Sequence, residues 1–331
     1  MEGQMTFEDY VNTNFNVLPN SNFVIDRKIR LIECFGGLGS QAKSLERLNP
    51  PHGWESWRLI EIDKHAIASY NAIHGTNYTP TDITKTTAAD LGIEERDKYI
   101  YLLVYSFPCQ SISVAGKGHG FSKANQQSEE TKTRSGLLWE VERILDECGD
   151  NLPQILLMEN VKNIISKKYK ADFDMWCDYL KSKGYSNHYK ILNSKHFGIP
   201  QNRERCFMVS LLGDYDYQFP EEIPLTSCMG DYLEKNVDKK QYITSDKARS
   251  LIDNLILDGK ILQNEKNGGG TSDIRNNNSI VSLGYLTEIP HQSSQVYGVN
   301  GISPCIDATS YKHNEKVVEI KLLKERNGQN D

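Results

Sequence analysis

From residue 28 to about residue 210, short apolar runs alternate with longer amphipathic segments. Short apolar runs are typical of strands buried on both faces, and their alternation with helical segments is typical of an α/β sheet. The strand-like runs are IRLIECF, SWRLIEI, YIYLLVYSF, QILLMENV, YKILN and RCFMVSLL, and the helix-like segments are 41–48, 64–74, 136–148 and 171–183. The pattern predicts a doubly wound, mostly parallel sheet.

After residue 212 the pattern changes. This part holds the GGG run at 268–270, the NNN run at 276–278 and only short isolated apolar stretches. Glycine and asparagine clusters favour loops, so we expect a second, smaller, loop-rich unit with small strands. The predicted organisation is an N-terminal extension (1–27), a large α/β domain (28–212), a smaller loop-rich domain (213–300) and a C-terminal segment (301–331).

Composition excludes several classes of protein. With 331 residues, 38% hydrophobic and 25% charged, the chain has enough apolar material for a folded core. It contains no apolar run of about 20 residues, and its start, MEGQMTFEDY, is acidic with no signal segment behind it. Seven cysteines without a C-x-x-C pair suggest neither disulfides nor a metal site. We therefore expect a cytoplasmic protein with no membrane and no metal partner.

The first strand runs into the glycine-rich turn CFGGLGS, residues 34–40. Glycines allow close approach of the backbone to a ligand, and the helix that follows offers free N–H groups. Glu61 ends the next apolar run about twenty residues later, where an acidic side chain commonly accepts hydrogen bonds from ribose hydroxyls. The turn favours a nucleotide-type cofactor site, although a plain tight strand-to-helix connection has the same pattern.

A second group of polar residues falls at strand ends. Cys109 lies in YSFPCQSIS (105–113), ENV (159–161) ends the run QILLM, and QNRER (201–205) precedes the run CFMVS. Free cysteines are more often small buried hydrophobes, which is our interpretation of Cys34, Cys148, Cys177 and Cys228. Cys109 differs because a carboxyl group and two arginines also fall at strand ends. These groups are costly to bury unless they pair with something, which indicates a polar site beside Cys109.

With these motifs in this order, the chain resembles the DNA cytosine-5 methyltransferases over 35–205. The resemblance rests on FGGLGS, Glu61, Asp82-Ile83, FPCQ, ENV and QNRER. It implies the class I S-adenosylmethionine-dependent methyltransferase fold with a smaller target-recognition domain at 213–300. It also implies S-adenosylmethionine as cofactor. The implied cofactor-binding residues are Phe35, Gly37, Leu38, Gly39, Glu61, Ile62, Asp82, Ile83 and Pro108, with Glu61 on the ribose and Ile62, Asp82 and Ile83 at the adenine.

The resemblance also implies roles in the reaction. Cys109 would add to carbon 6 of cytosine as a thiolate, which makes carbon 5 nucleophilic. Glu159 would interact with ring N3 and the exocyclic amine, and Arg203 and Arg205 would pair with the cytosine O2, with Glu159 or with a phosphate. Contacts with DNA are expected from Ser113, Lys117 and Lys162.

The implied partner is double-stranded DNA, whose target base must be flipped out of the stack. A formal net charge of -6 argues against a polyanion, yet ten basic and four acidic residues lie between Lys162 and Arg205. This basic segment is expected either to follow phosphates or to form an ordinary solvated surface.

Two alternatives stay open. One is a cytosine-5 methyltransferase that acts on transfer RNA. The other is an inactive or split subunit, because the family's R-x-L-T-P-R-E and G-N-S-like motifs are not found after GISPCIDA (301–308). In the second case a second polypeptide would complete the cofactor pocket. The resemblance places the protein in a bacterial or phage-infected cell and leaves its role open between restriction-linked modification and phage self-protection.

Overall fold

The structure is a computed structural model that describes residues 23–109, 112, 120–123, 133–234, 245–258, 282–285, 295–298, 303 and 316–318. A six-stranded sheet in the order β2-β1-β3-β4-β6-β5 organises the first part of the chain. Its strands are β1 (Lys28–Cys34), β2 (Trp54–Ile60), β3 (Tyr99–Tyr105), β4 (Ile155–Val161), β5 (Tyr185–Asn193) and β6 (Glu204–Leu212). The first four strands in this order are parallel, and β6 runs antiparallel to β4.

Five helices described in this part connect the strands: α1 (Ser40–Leu48), α2 (Lys64–His74), α3 (Ala88–Leu91), α4 (Leu138–Glu147) and α5 (Lys170–Ser182). Local sequence explains their ends. The Asp63 side chain accepts a hydrogen bond from the His65 N–H at the start of α2, and Gly75 closes that helix in the left-handed conformation. Gly184 follows α5 with φ +90°.

The sheet separates two hydrophobic clusters because alternate residues of a strand face opposite sides. Ile29 and Leu31 of β1 pack with apolar side chains of α1 and α2. Ile32 and Cys34 belong to the larger cluster on the other side, which contains the buried tryptophans of α4 and α5. Burying each large apolar side chain stabilises the fold by about 1.5–3 kcal/mol, so both faces of β1 hold the helices against the sheet.

The register brings the carboxyl ends of the central strands together. Cys34, the last residue of β1, lies opposite Ile60 of β2 and Tyr105 of β3. Tyr105 lies opposite Met158 of β4. The residues that follow these strand ends therefore meet at one edge of the sheet, where open α/β folds bind ligands.

The described residues divide into two compact units, with 23–192 and 204–220 in one and 193–203 and those from 221 onward in the other. The second unit contains the 3-10 turn Met229–Tyr232, helix α6 (Asp246–Leu257) and a three-stranded sheet. The strands are β7 (Ser282–Tyr285), β8 (Gln295–Gly298) and β9 (Lys316–Val318), with β7 antiparallel and β9 parallel to β8.

The predicted α/β fold is confirmed, because all six apolar runs form strands of one sheet and all four amphipathic segments contain helices. The short helix α3 and helix α6 were not predicted. Among the described residues, every helix is too short or too polar to span a bilayer. Within the same residues, no three His, Cys, Asp or Glu side chains are grouped as metal ligands.

Candidate functional site

The glycine-rich turn after β1 has an unusual backbone. Phe35 has a positive φ of +60°, which is rare for a bulky residue, and its N–H donates to the Ile60 carbonyl over 2.8 Å. Gly37 and Gly39 also have positive φ values, +56° and +78°. Strain of this kind persists where the surrounding structure holds it, commonly at ligand sites.

The two glycines are needed for different reasons. A Cβ on Gly39 would collide with the rings of His74 and Tyr70 on α2, so this position packs α1 against α2. Within the described part of the chain, a Cβ on Gly37 would meet no atom within 4 Å. The space beside Gly37 at the edge of the sheet is therefore open to a ligand, and we call this space the cradle. Gly39 instead allows α1 to pack closely on α2.

Glu61 lies directly after β2 and faces this turn. Its Oε2 accepts a hydrogen bond from the Gly37 N–H over 3.1 Å, and its Oε1 accepts from the N–H groups of Ile62 and Asp63 over 2.9 Å each. Three backbone donors thus fix the carboxylate in place. A carboxylate has about four acceptor sites, of which three are used here, so Oε2 can still accept one hydroxyl donor from a ligand.

Asp82 and Ile83 lie beside Glu61, because the Thr81 N–H donates to the Glu61 carbonyl over 2.7 Å. The Asp82 carboxylate accepts hydrogen bonds from the Thr84 hydroxyl and N–H, which lower its pKa. It caps the 3-10 turn Ile83–Lys85. The Ile83 side chain is buried in the larger hydrophobic cluster, so what this residue can offer a ligand is chiefly its backbone.

The surroundings of Glu61 fit a nucleoside-type ligand. Leu38 and Ile62 are apolar, yet they are 55% and 66% exposed. The hydroxyl of Ser106, directly after β3, is buried and has no hydrogen-bond partner among the described residues. A fixed carboxylate, exposed apolar side chains and an unused hydroxyl suit a ligand that combines ribose hydroxyls with a flat apolar ring.

Cys109 lies four residues beyond the end of β3 and is half-buried, as is Pro108. Asn160 of β4 donates from its side-chain amide to the Phe107 carbonyl over 3.0 Å. The Ile112 N–H donates to the Cys109 carbonyl over 2.9 Å. Asn160 is the neighbour of Glu159 in the chain, so the structure brings the ENV and FPCQ motifs together.

Glu159 and Arg205 form an ion pair across the antiparallel strands β4 and β6. Arg205 Nε lies 3.1 Å from Glu159 Oε1, and both side chains are largely buried. In the register, Arg205 lies opposite Val161 and Phe207 lies opposite Glu159. The site therefore holds a thiol and a carboxylate on adjacent strand ends, with a guanidinium that fixes the carboxylate.

The remaining predicted residues are placed differently. Arg203 belongs to the second unit, where its N–H donates to the Asn193 side chain over 3.1 Å. Lys162 is exposed and forms an ion pair with Glu204. Ser113 and Lys117 lie outside the described residues.

Sequence reasoning assigned no role to Glu33, which is 1% exposed on β1. The Tyr70 hydroxyl donates to its Oε2 over 2.6 Å, and burial raises the pKa of the Glu33 carboxyl group to about 7. Glu33 lies just before the glycine-rich turn. A single carboxyl group inside an apolar strand run is the signal that could have identified it.

Comparisons with known proteins agree with this arrangement. A sequence model of the C-5 cytosine-specific DNA methylase family matches residues 29–329. The chain is 35% identical over 268 residues to the type II methyltransferase M2.ScrFI of Lactococcus lactis subsp. cremoris, a match that covers 66% of this chain and 71% of that protein. It is 31% identical over 271 residues to the orphan methyltransferase M.SssI of Spiroplasma monobiae, covering 66% and 68%.

Solved structures show the same fold. The Entamoeba histolytica methyltransferase EhMeth aligns with a TM-score of 0.57 at 18% identity, over 88% of this chain and 74% of that one. The S. pombe Dnmt2 methyltransferase aligns over the same shares with a TM-score of 0.53 at 17% identity. Fold, motif order and sequence similarity agree, and the chain belongs to the C-5 cytosine-specific DNA methylase family.

Proposed function

We propose that this protein transfers a methyl group from S-adenosylmethionine to carbon 5 of cytosine in double-stranded DNA, through a covalent adduct on Cys109. The observation that supports the proposal most strongly is that a hydrogen bond joins the loop after β3 to the end of β4, while an ion pair joins the end of β4 to β6. Asn160 joins the loop of Cys109 to the strand of Glu159, and Arg205 fixes the Glu159 carboxylate. Family membership supplies the reaction type.

The cofactor site is proposed at the edge formed by the glycine-rich turn and Glu61. The Glu61 carboxylate would accept from ribose hydroxyls, and Ile62 would cover the adenine ring. The other members of the site are Phe35, Gly37, Leu38, Gly39, Asp82, Ile83 and Pro108. S-adenosylmethionine supplies an electrophilic methyl group when it is bound.

Cys109 has the central role in the proposed chemistry. Carbon 5 of cytosine is a weak nucleophile, so the ring must first gain electron density. The Cys109 thiolate forms a bond to carbon 6, and the electron pair of the 5,6 double bond moves toward carbon 5. After carbon 5 has gained its methyl group, its hydrogen leaves as a proton, the Cys109–carbon 6 bond breaks and the double bond returns.

Glu159 would control the charge that develops on the ring. A carboxyl group at ring N3 stabilises the adduct by sharing or donating a proton there as the thiolate adds. Arg205 pairs with Glu159 through its Nε and donates from Nη1 to the Glu204 carbonyl over 2.8 Å, so it would orient the Glu159 carboxylate. Contact of this guanidinium with a base or phosphate oxygen is proposed as its second role. Arg203 is proposed as a second guanidinium for such an oxygen.

The substrate base has to leave the duplex to reach Cys109, which costs a few kcal/mol. We propose that residues 213–300 recognise the flanking sequence, and that Ser113, Lys117 and Lys162 contact the DNA backbone. The Lys162–Glu204 ion pair is exposed, and exposed pairs contribute little free energy. Exchange of Glu204 for a phosphate would therefore cost little.

The test is transfer of label from methyl-labelled S-adenosylmethionine to DNA and, separately, to bulk transfer RNA. Wild type, Cys109→Ala and Cys109→Ser are compared with Cys177→Ser, a second half-buried cysteine. We expect label in DNA from wild type and from the Cys177 variant, and none from either Cys109 variant. DNA that carries 5-fluorocytosine should form a stable adduct with wild type, because fluorine cannot leave as the hydrogen does.

Each other result has a defined meaning. Label in transfer RNA alone would identify transfer RNA, and not DNA, as the substrate. Label that still appears in DNA with Cys109→Ala would exclude a covalent adduct on Cys109. Absence of label with the purified chain, followed by transfer once a fractionated extract is added, would support the split-subunit alternative.

A further inference from the structure

The loop that carries Cys109 is fixed to the protein on both sides of the thiol. Before Cys109, the Phe107 carbonyl accepts a hydrogen bond from Asn160 Nδ2 over 3.0 Å. After it, the Ile112 carbonyl accepts from Asn163 Nδ2 over 2.6 Å. Ile112 is fully buried, and its own N–H donates to the Cys109 carbonyl.

Both asparagines come from one short stretch of chain that begins at Glu159. Asn160 is the sixth residue of β4, and Asn163 lies in the 3-10 turn Lys162–Ile165 that follows the strand. The turn is held by the buried Ile164 and by a hydrogen bond from the Ser166 N–H to the Asn163 carbonyl over 3.0 Å. The stretch therefore has a fixed place from which both amides reach the loop.

We propose that Asn163 is a positioning residue for Cys109. Its amide holds the Ile112 carbonyl, so the loop is attached at both ends to the same stretch of chain that carries Glu159. This inference rests on the proposed function, since it concerns how the thiol and the carboxyl group of that reaction keep their relative positions.

The role depends on donation by the amide rather than on the size of the side chain. Aspartate has nearly the same shape as asparagine, but an ionised carboxylate cannot donate and repels the Ile112 carbonyl. Alanine removes the donor without adding charge, and it leaves a buried carbonyl without its partner. The two variants therefore remove the same hydrogen bond in different ways.

Methyl transfer and thiol reactivity should change in opposite directions. In Asn163→Asp and Asn163→Ala, kcat should fall roughly 10- to 100-fold while KM for S-adenosylmethionine stays the same, because a nucleophile displaced by about 1 Å loses most of its effect. Alkylation of Cys109 by iodoacetamide, followed by mass spectrometry of its peptide, should become about threefold faster or more, because the released loop is more accessible.

Two internal references and one matched variant control the experiment. Cys34 and Cys206 are buried, so their alkylation rates report any general loosening of the fold. Asn151 is exposed, and Asn151→Asp makes the same substitution away from the loop. The proposal predicts faster alkylation of Cys109 alone, and only in the Asn163 variants.

The opposite results would overturn the proposal. An unchanged Cys109 alkylation rate in both Asn163 variants would show that the hydrogen bond does not position the loop. Equal acceleration at Cys34, Cys206 and Cys109 would show a general structural role. If wild type transferred no methyl group with or without added extract, the proposed function would fail, and the alkylation rates would still decide whether Asn163 holds the loop.

Discussion

Arg205 reaches Glu159 with its Nε at 3.1 Å, across the antiparallel pair β4 and β6. Because the two strands are neighbours in the sheet, the guanidinium has a fixed direction relative to the carboxylate. A planar guanidinium offers several N–H donors in one rigid geometry, whereas a lysine ammonium is a flexible point charge. The pair is therefore sensitive to the shape of the cation as well as to its charge.

We expect Arg205→Lys to lower kcat about 10-fold, because the Glu159 carboxylate keeps a positive partner but loses its fixed orientation. Arg205→Met should lower kcat about 100-fold, because the carboxylate also loses the positive charge. Steady-state methyl transfer measures both. Arg27→Met removes an exposed ion pair with Asp26 before β1, so it is the matched control and should have wild-type kcat. Full activity in Arg205→Met would show that Glu159 does not need this partner.

Alanine substitutions at Gly37 and Gly39 separate the effect on protein stability from the effect on cofactor binding, because only Gly39 packs against His74 and Tyr70. Alanine at Gly39 would collide with the His74 and Tyr70 rings, so we expect a loss of about 2–4 kcal/mol. Alanine at Gly37 has open space and should cost only about 1–2 kcal/mol of backbone strain. Gly37→Ala should instead weaken binding of S-adenosylmethionine, since its Cβ enters the proposed cradle.

Urea unfolding and calorimetric titration with S-adenosylhomocysteine distinguish the two effects. A Gly37→Ala variant that binds as tightly as wild type would argue against a cofactor cradle at this turn. A Gly39→Ala variant as stable as wild type would contradict the close packing of α1 on α2.

The pKa of Glu33 makes stability depend on pH. Burial raises this pKa to about 7 in the folded protein from 4.5 for an exposed carboxyl. Between these values the unfolded chain releases the proton first, so the contribution of Glu33 is full below about pH 4.5 and falls as pH rises to about 7. The total loss is about 3.5 kcal/mol, from a shift of about 2.5 pKa units at about 1.4 kcal/mol per unit.

Glu33→Gln should remove this dependence while it keeps an acceptor for the Tyr70 hydroxyl. Unfolding free energies measured at pH 5 and pH 8 should therefore fall less with pH in the variant than in wild type. Glu94→Gln, an exposed glutamate, should behave as wild type. Identical pH profiles for Glu33→Gln and wild type would show that the buried carboxyl group does not titrate in this range.

The apolar runs predicted the central strands β1 and β3 because both are buried between helices, and burial on both faces requires a continuous apolar sequence. Strand β5, at the end of the sheet, is partly exposed. Other features depend on contacts that no local pattern contains. Asn163 and Ile112 are 51 residues apart in the chain, and their hydrogen bond exists only because β3 and β4 are neighbours. Arg203 and Arg205 are two residues apart, yet they belong to different units.

The basic segment from Lys162 to Arg205 predicts a salt-dependent affinity for DNA. Three of its lysines, Lys162, Lys170 and Lys183, form ion pairs with Glu204, Asp174 and Asp146. Lys167 is exposed on the turn between β4 and α5, six residues after the end of β4. Lys181 lies in the last turn of α5, eleven residues after Lys170, which places it about 16 Å along the helix from the first residue of α5.

These positions give a matched pair of neutralising variants. If Lys167 contacts a phosphate, Lys167→Gln should reduce the slope of log affinity against log salt by about 0.9, because one fewer counterion is released on binding. Lys181→Gln removes the same charge from the protein at a distance from the proposed site and should leave the slope unchanged. Fluorescence anisotropy with a labelled duplex at several salt concentrations measures both slopes. Equal reductions in the two variants would mean that only the overall charge matters, and a flat salt dependence in wild type would exclude phosphate contacts by this segment.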